Sequence, residues 1–232
     1  MTLTVQELRK AAERTIPGKL HFAILMWQFQ KPSYADWVPV VEQAVMYQLT
    51  QMSQRRNDLH KMSEDQLSAA IVIALNNLTL EASGRVVNGN CDLSVSFDDY
   101  QWLGEAKIAR DHTVIYGGYL QLTQRYTAGI TNQSAGAMLL YCTTEAAVPV
   151  IEGWKAVLAE AVTESNIRPG DSPLTFRSSD VVGSTGLPVE LLHIAFPLKH
   201  DPQEDKVKLS KSALNAGRTA KRAAKRRRSV DG

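Results

Sequence analysis

Residues 135–142, "AGAMLLYC", are eight consecutive small or apolar residues set between the polar stretches "TNQS" and "TTE". The run has the length of a strand, and its lack of polar alternation means that neither face of that strand meets water. A strand covered on both faces needs a layer of structure above and below its sheet. The segment therefore predicts an α/β architecture, a central mixed sheet flanked by helices.

The surrounding pattern supplies the other elements. Thr4 and Glu7 form a capping box for a helix over 4–15, stopped by Pro17-Gly18. Residues 20–29 are apolar with a period that fits strand or helix, and Val38, Val41, Ala44, Val45, Leu49 and Met52 mark a helix over 36–55. Ser63 and Gln66 cap a further helix over 63–78. Three strands are expected at 85–87, 93–96 and 102–108, then a helix over 114–128 and the apolar strand. A helix near 149–163 and strand-like "LTFR" and "VELLHIAF" complete the order. Trp27 and Trp37 are expected in the core or at an interface.

With 232 residues, 44% of them hydrophobic, the chain can bury one full core. No apolar run approaches the roughly 18–20 residues needed to span a bilayer, and "MTLTVQELRKAAERT" is amphipathic, unlike a signal peptide. A soluble cytoplasmic protein without membrane association is expected. Cys91 and Cys142 are too few for a zinc site and are read as buried thiols.

The net charge of +2 conceals an asymmetry. Residues 206–232 hold ten bases and one acid, +9, leaving 16 bases and 23 acids, −7, for residues 1–205. The block "KRAAKRRR", with Lys221, Arg222, Lys225, Arg226, Arg227 and Arg228, is suited to phosphate backbones. Nucleic acid is thus the expected partner of the tail.

The chemistry-bearing segment is "CDLSVSFDDYQWLGEAKIARD". Alternation puts Leu103, Glu105 and Lys107 on one face of their strand and Trp102, Gly104, Ala106 and Ile108 on the other. If the preceding strand is its hairpin partner, Asp92 lies beside Glu105 and Lys107. Two carboxylates, with the Ala106 carbonyl, offer hard oxygen ligands for Mg2+ or Mn2+, and an adjacent ammonium can orient a water or a phosphate. The bland alternative is an exposed charged face on an edge strand. A second Glu-x-Lys, Glu204-Asp-Lys206, lies in a polar linker and has no such context. The five histidines, His21, His60, His112, His193 and His200, show no ligand spacing, although His112 follows the Glu-x-Lys strand closely enough to reach phosphate. No Ser/His/Asp grouping is legible.

From Ser63 to Cys142 the chain resembles the PD-(D/E)xK nuclease superfamily, with its restriction-endonuclease-like αβββαβ core, and more closely its small bacterial and phage members. "CDLSV" looks like the aspartate strand, "WLGEAKI" like the Glu-x-Lys strand, and "YLQLTQRY" like the following helix. The usual proline before the aspartate is replaced by Cys91. The resemblance implies metal ligation by Asp92 and Glu105, a catalytic Lys107, an assisting Glu64 on the first helix, and a glutamine, Gln121 or Gln124, facing the site. With the residue pattern, this divides the chain into a helical N-terminal extension over 1–57, a nuclease-like domain over 58–198 and a basic flexible tail over 199–232. The expected function is a Mg2+-dependent endonuclease, with DNA favoured, aided by Arg85 at the phosphate and by a protein partner or homo-oligomer, in phage defence, restriction or a mobile element. The alternatives are a catalytically silent nuclease-fold subunit that binds nucleic acid or serves assembly, and a phage or plasmid structural protein whose tail packs nucleic acid.

Overall fold

The computed structural model describes residues 4–84, 91–162, 165–202 and 215. The chain divides into two compact units, Met1–His200 and Asp201–Gly232, and every element below belongs to the first. In chain order these are α1 (Val5–Ala12), α2 (Ile16–Trp27), α3 (Tyr34–Ser53), α4 (Arg56–Leu59), α5 (Glu64–Asn76), β1 (Glu81–Ser83), β2 (Leu93–Phe97), β3 (Tyr100–Ile108), α6 (His112–Gln121), a π-helical turn (Leu122–Tyr126), β4 (Ala135–Cys142), α7 (Ala147–Ala161), β5 (Asn166–Pro169), β6 (Thr175–Val181) and β7 (Pro188–Pro197).

The strands form one seven-stranded mixed sheet in the order β1-β2-β3-β4-β7-β6-β5. The apolar run is its central strand: β4 is parallel to β3 on one side and to β7 on the other, and all eight of its residues are buried. Both faces are covered. Helices α2, α3 and α5 pack over Leu93, Val95, Trp102, Ala137, Leu139, Ile194 and Phe196. Helices α6 and α7 cover Leu103, Met138, Leu140, Leu191 and Ala195 on the opposite face. The remaining strand pairs are antiparallel and extend the sheet to its two edges.

The N-terminal helices form one of these layers. Leu20 and Ile24 of α2 and Trp37, Val41, Val45 and Leu49 of α3 belong to the same buried cluster as the sheet residues, so α2 and α3 cover the sheet directly. The segment left open between strand and helix is α2. Pro17-Gly18 does not end α1, which stops at Ala12. Pro17 instead occupies the first turn of α2, where its missing N–H costs nothing, while the Thr15 side chain accepts from the Gly18 N–H at 3.1 Å.

Other boundaries moved for local reasons. The strand expected at 85–87 lies outside the described residues, and β1 sits earlier, pairing with β2. Helix α6 begins at His112 because Asp111 caps the Val114 N–H at 3.0 Å. Its last turn widens into the π-helical turn, inside which Thr123 Oγ1 donates to the Tyr119 carbonyl at 2.9 Å. Edge strand β5 was not expected; it is four residues long and mostly exposed, with no periodicity to announce it. Cys91 and Cys142 are buried free thiols. Among the described residues no helix is long and apolar enough to cross a membrane.

Candidate active site

The antiparallel ladder between β2 and β3 runs from Phe97↔Tyr100 to Leu93↔Gly104 and stops there. Strand β3 continues to Ile108 at the carboxyl end of the parallel trio, the side of an α/β sheet where ligands generally sit. Beyond Gly104, two of its N–H groups donate to carboxylates instead of to a neighbouring strand. Ala106 N–H donates to Asp92 Oδ2 at 2.9 Å, and Ile108 N–H donates to Glu64 Oε2 at 2.8 Å. The divergence of the two strands is thus what admits two acidic side chains to the sheet.

Glu64 is placed by its helix. It is the first residue of α5, behind the Ser63/Gln66 capping box. One turn later, Ser68 Oγ lies 3.1 Å from the fully buried Tyr141 Oη of β4. Tyr141 is the register neighbour of Ile108, whose N–H holds Glu64. Helix, strand and carboxylate therefore close a ring that fixes Glu64 relative to β3.

Lys107 stands at the centre. Its Nζ donates to Glu105 Oε1 at 2.6 Å, to the Ala106 carbonyl at 2.9 Å and to Glu64 Oε1 at 3.2 Å, and lies 3.7 Å from Asp92 Oδ2. The Lys107 side chain is 15% exposed and that of Glu105 only 2%, which removes the reading of an exposed charged edge. Gly118 of α6 makes room for the lysine: a Cβ there would come within 2.9 Å of Lys107 Cγ and Cε.

The electrostatics follow from burial and from three acids sharing one base. Burial pushes the Glu105 carboxyl up to about 7 against the hydrogen bond from Lys107, with the charge of Asp92 adding to the rise. Burial also raises Asp92, against the Ala106 N–H and the Lys107 charge. Burial works to lower Lys107, but its hydrogen bond to Glu105 and the charges of Glu105, Asp92 and Glu64 outweigh it and hold its pKa above the ordinary value. Both members of the Glu105–Lys107 pair are thus raised. The ammonium keeps its proton, and desolvation draws a second one onto the carboxylate near neutral pH.

No family model, curated protein or solved structure matches this chain.

Among the described residues no group of three or more His, Cys, Asp or Glu side chains is arranged to hold a metal ion. Instead, four oxygens from Glu64, Asp92, Glu105 and Ala106 surround an ammonium, which stands where a cation of this donor set would stand. Glu105 Oε2 is buried without a hydrogen-bond partner. An all-oxygen donor set with excess negative charge and one orphaned carboxylate oxygen fits a hard divalent cation.

The remaining candidates are placed elsewhere. Gln121 follows Gly118 by one helical turn and shares its face, but no hydrogen bond ties it to the cluster. Gln124 is exposed, with its amide against Gly183. The His112 ring lies against Gly153 of α7. Arg85 and the basic residues Lys221, Arg222, Lys225, Arg226, Arg227 and Arg228 fall outside the described residues.

A Ser/His/Asp grouping that the sequence did not reveal also exists. Trp154 Nε1–H donates to His193 Nδ1 at 3.0 Å, so His193 Nε2 carries the proton and donates to Ser178 Oγ at 2.8 Å; Ser178 Oγ–H in turn donates to Asp180 Oδ2 at 2.5 Å. Ser178 and His193 are fully buried and Asp180 nearly so, and His193 stacks on Phe176. The serine lies between the other two and no substrate reaches it, so the network ties α7 to β6 and β7. Its four members, Trp154, Ser178, Asp180 and His193, come from three separate elements, a spacing without a local signature.

Proposed function

We propose that the protein is a metal-dependent phosphodiester hydrolase, an endonuclease with DNA as the favoured substrate, whose active site is formed by Asp92, Glu105, Lys107 and Glu64. The observation that carries this reading is the convergence of three carboxylates and one lysine at the carboxyl end of β3, with Glu105 Oε2 unpartnered. The order α5-β1-β2-β3-α6-β4 also agrees with the αβββαβ core of the PD-(D/E)xK superfamily that this stretch of sequence resembles.

Asp92, Glu105 and the Ala106 carbonyl would hold Mg2+ or Mn2+. When bound, such an ion makes a water more acidic and offsets charge growing on the scissile phosphate. Glu64 holds the end of β3 through the Ile108 N–H and keeps Lys107 within the cluster. Lys107, released from the carboxylates, would supply its positive charge and up to three N–H donors to a phosphate oxygen or the attacking water. Asp92, tied to the Ala106 N–H, keeps its carboxylate aligned with the strand. The cationic segment after His200 supplies attraction to the phosphate backbone that weakens with salt.

One observation favours a second reading. Lys107 already engages Glu64, Glu105 and the Ala106 carbonyl, as in a site that has kept the fold and given up catalysis to bind nucleic acid or serve assembly. A plasmid-cleavage assay with Mg2+ or Mn2+ decides between them. Wild type should nick, and Glu105→Ala and Lys107→Ala should not; equal nicking by all three, or none by any on DNA and RNA substrates, removes the hydrolase reading.

A further inference from the structure

His60 and His200 are 140 positions apart, yet their ring centres lie 5.4 Å apart with planes at 49°. Each follows an anchored residue. Leu59, the last residue of α4, packs against the main core, and Leu198 is fully buried, with its N–H donating to the Cys142 carbonyl at 3.1 Å. The two imidazoles are therefore carried on segments that the core holds in place, and both rings remain partly exposed.

The tautomer of His60 is set by its neighbours. Its Nδ1 lies 3.1 Å from the Arg56 carbonyl and 3.0 Å from the Asn57 carbonyl. Carbonyl oxygens only accept, so Nδ1 carries the hydrogen and the lone pair of the neutral ring is on Nε2. A histidine held by a backbone carbonyl at one nitrogen, with the other left as a donor atom, is the arrangement that ligating histidines use to fix ring orientation. The spacing suits the same purpose. Two imidazoles sharing a tetrahedral ion at bond lengths of about 2.0–2.1 Å place their ring centres roughly 5 Å apart.

We infer that His60 and His200 form a binding site for one borderline divalent transition-metal ion, of which Zn2+, Ni2+ and Cu2+ are the class that imidazole prefers. No third His, Cys, Asp or Glu among the described residues completes it, so water fills the remaining positions and binding is reversible. The ion ties the short α4 connector, four residues before Glu64, to the chain that leaves β7. The site is separate in ligand chemistry from the oxygen cluster around Lys107, and it does not depend on the hydrolase reading.

The test uses untagged full-length protein with Zn2+ in equilibrium dialysis, and with Cu2+ in electron paramagnetic resonance to count bound nitrogens. The expected result is one Zn2+ per chain, a rise in Tm on Zn2+ addition, and a two-nitrogen Cu2+ signal. His60→Gln and His200→Gln should each weaken binding by roughly tenfold or more and abolish the Tm rise. Asp92→Asn, which removes an oxygen donor of the other cluster, should leave the two-nitrogen Cu2+ signal unchanged. Absence of saturable binding, binding that survives in the double histidine variant, or binding lost only in Asp92→Asn would overturn the assignment.

Discussion

Lys107→Met tests whether the ammonium is the cation that the site is built around. The substitution keeps the length and apolar stem of the side chain against Gly118 but leaves Glu64, Asp92 and Glu105 without their shared base. On a surface, losing such pairs costs about 1 kcal/mol or less. Here the lysine side chain is 15% exposed and Glu105 2%, so the relevant regime is that of a buried pair stripped of one partner, about 3–5 kcal/mol. For a chain of this size that is a fall in Tm of roughly 6–20 °C, measured by differential scanning calorimetry with a chelator present. A divalent cation can then occupy the vacated centre. Mn2+ at about 100 times its Kd should restore roughly 2.7 kcal/mol in Lys107→Met, more than in wild type, where the ion competes with the ammonium. Isothermal titration should show tighter Mn2+ binding in the variant, while cleavage is lost. A Tm drop of only a degree or two, or equal Mn2+ stabilisation of both proteins, would refute the idea that Lys107 and a metal share one position.

Two buried groups impose opposite pH dependences. Burial holds His193 down at about 3, against an ordinary 6.5, so between those values the unfolded chain binds the extra proton and stability falls as pH drops from 6.5 towards 3. At about 1.4 kcal/mol for each pH unit between the two values, the loss reaches up to roughly 4–5 kcal/mol. Glu105 behaves in reverse: raised from 4.5 to about 7, it is protonated in the native state over that interval, and its contribution is lost as pH rises through 7. Because the two effects oppose one another between pH 4.5 and 6.5, variants must be compared with wild type. In urea unfolding, His193→Gln should lose less stability than wild type on acidification, and Glu105→Gln should gain on wild type by up to roughly 3 kcal/mol as pH rises from 4.5 to about 7. Gly118→Ala places a methyl within 2.9 Å of Lys107 Cγ and Cε and 3.2 Å of Met138 Cε. Overpacking of about 1–3 kcal/mol should exceed the helix gain of about 0.5–1 kcal/mol, lowering Tm and, by displacing Lys107, lowering kcat; unchanged kcat would show that the lysine does not depend on this contact.

What was legible in the sequence, and what was not, divides along physical lines. The period-two pattern that sets Glu105 and Lys107 on one face of β3 is a property of the backbone, and the structure reproduces it in the register with β2 and β4. The continuous apolar run of β4 needs two covering layers, and both exist. Helix boundaries were less legible because caps compete: Thr15 with Pro17 starts a second helix where Pro17-Gly18 alone suggested a stop. The Gln121/Gln124 ambiguity had a geometric cause, since the π-helical turn after Gln121 breaks the helical period that a sequence pattern assumes.

The long-range partners had no local signal at all. Nothing in "SEDQLSAA" says that Ser68 meets Tyr141 at 3.1 Å, 73 positions away, and nothing around His60 points to His200. The site itself lies between these extremes. Alternation put Asp92 beside Glu105 and Lys107, but that pattern says nothing about where β2 and β3 separate. The separation past Gly104 is what turns two strand N–H groups into carboxylate donors and brings Glu64 into the cluster from α5. The cluster's chemistry therefore rests on a short break in hydrogen-bond pairing. Filling that break, by extending the ladder past Leu93, would remove Asp92 and Glu64 from β3 while leaving Glu105-Ala-Lys107 intact in sequence.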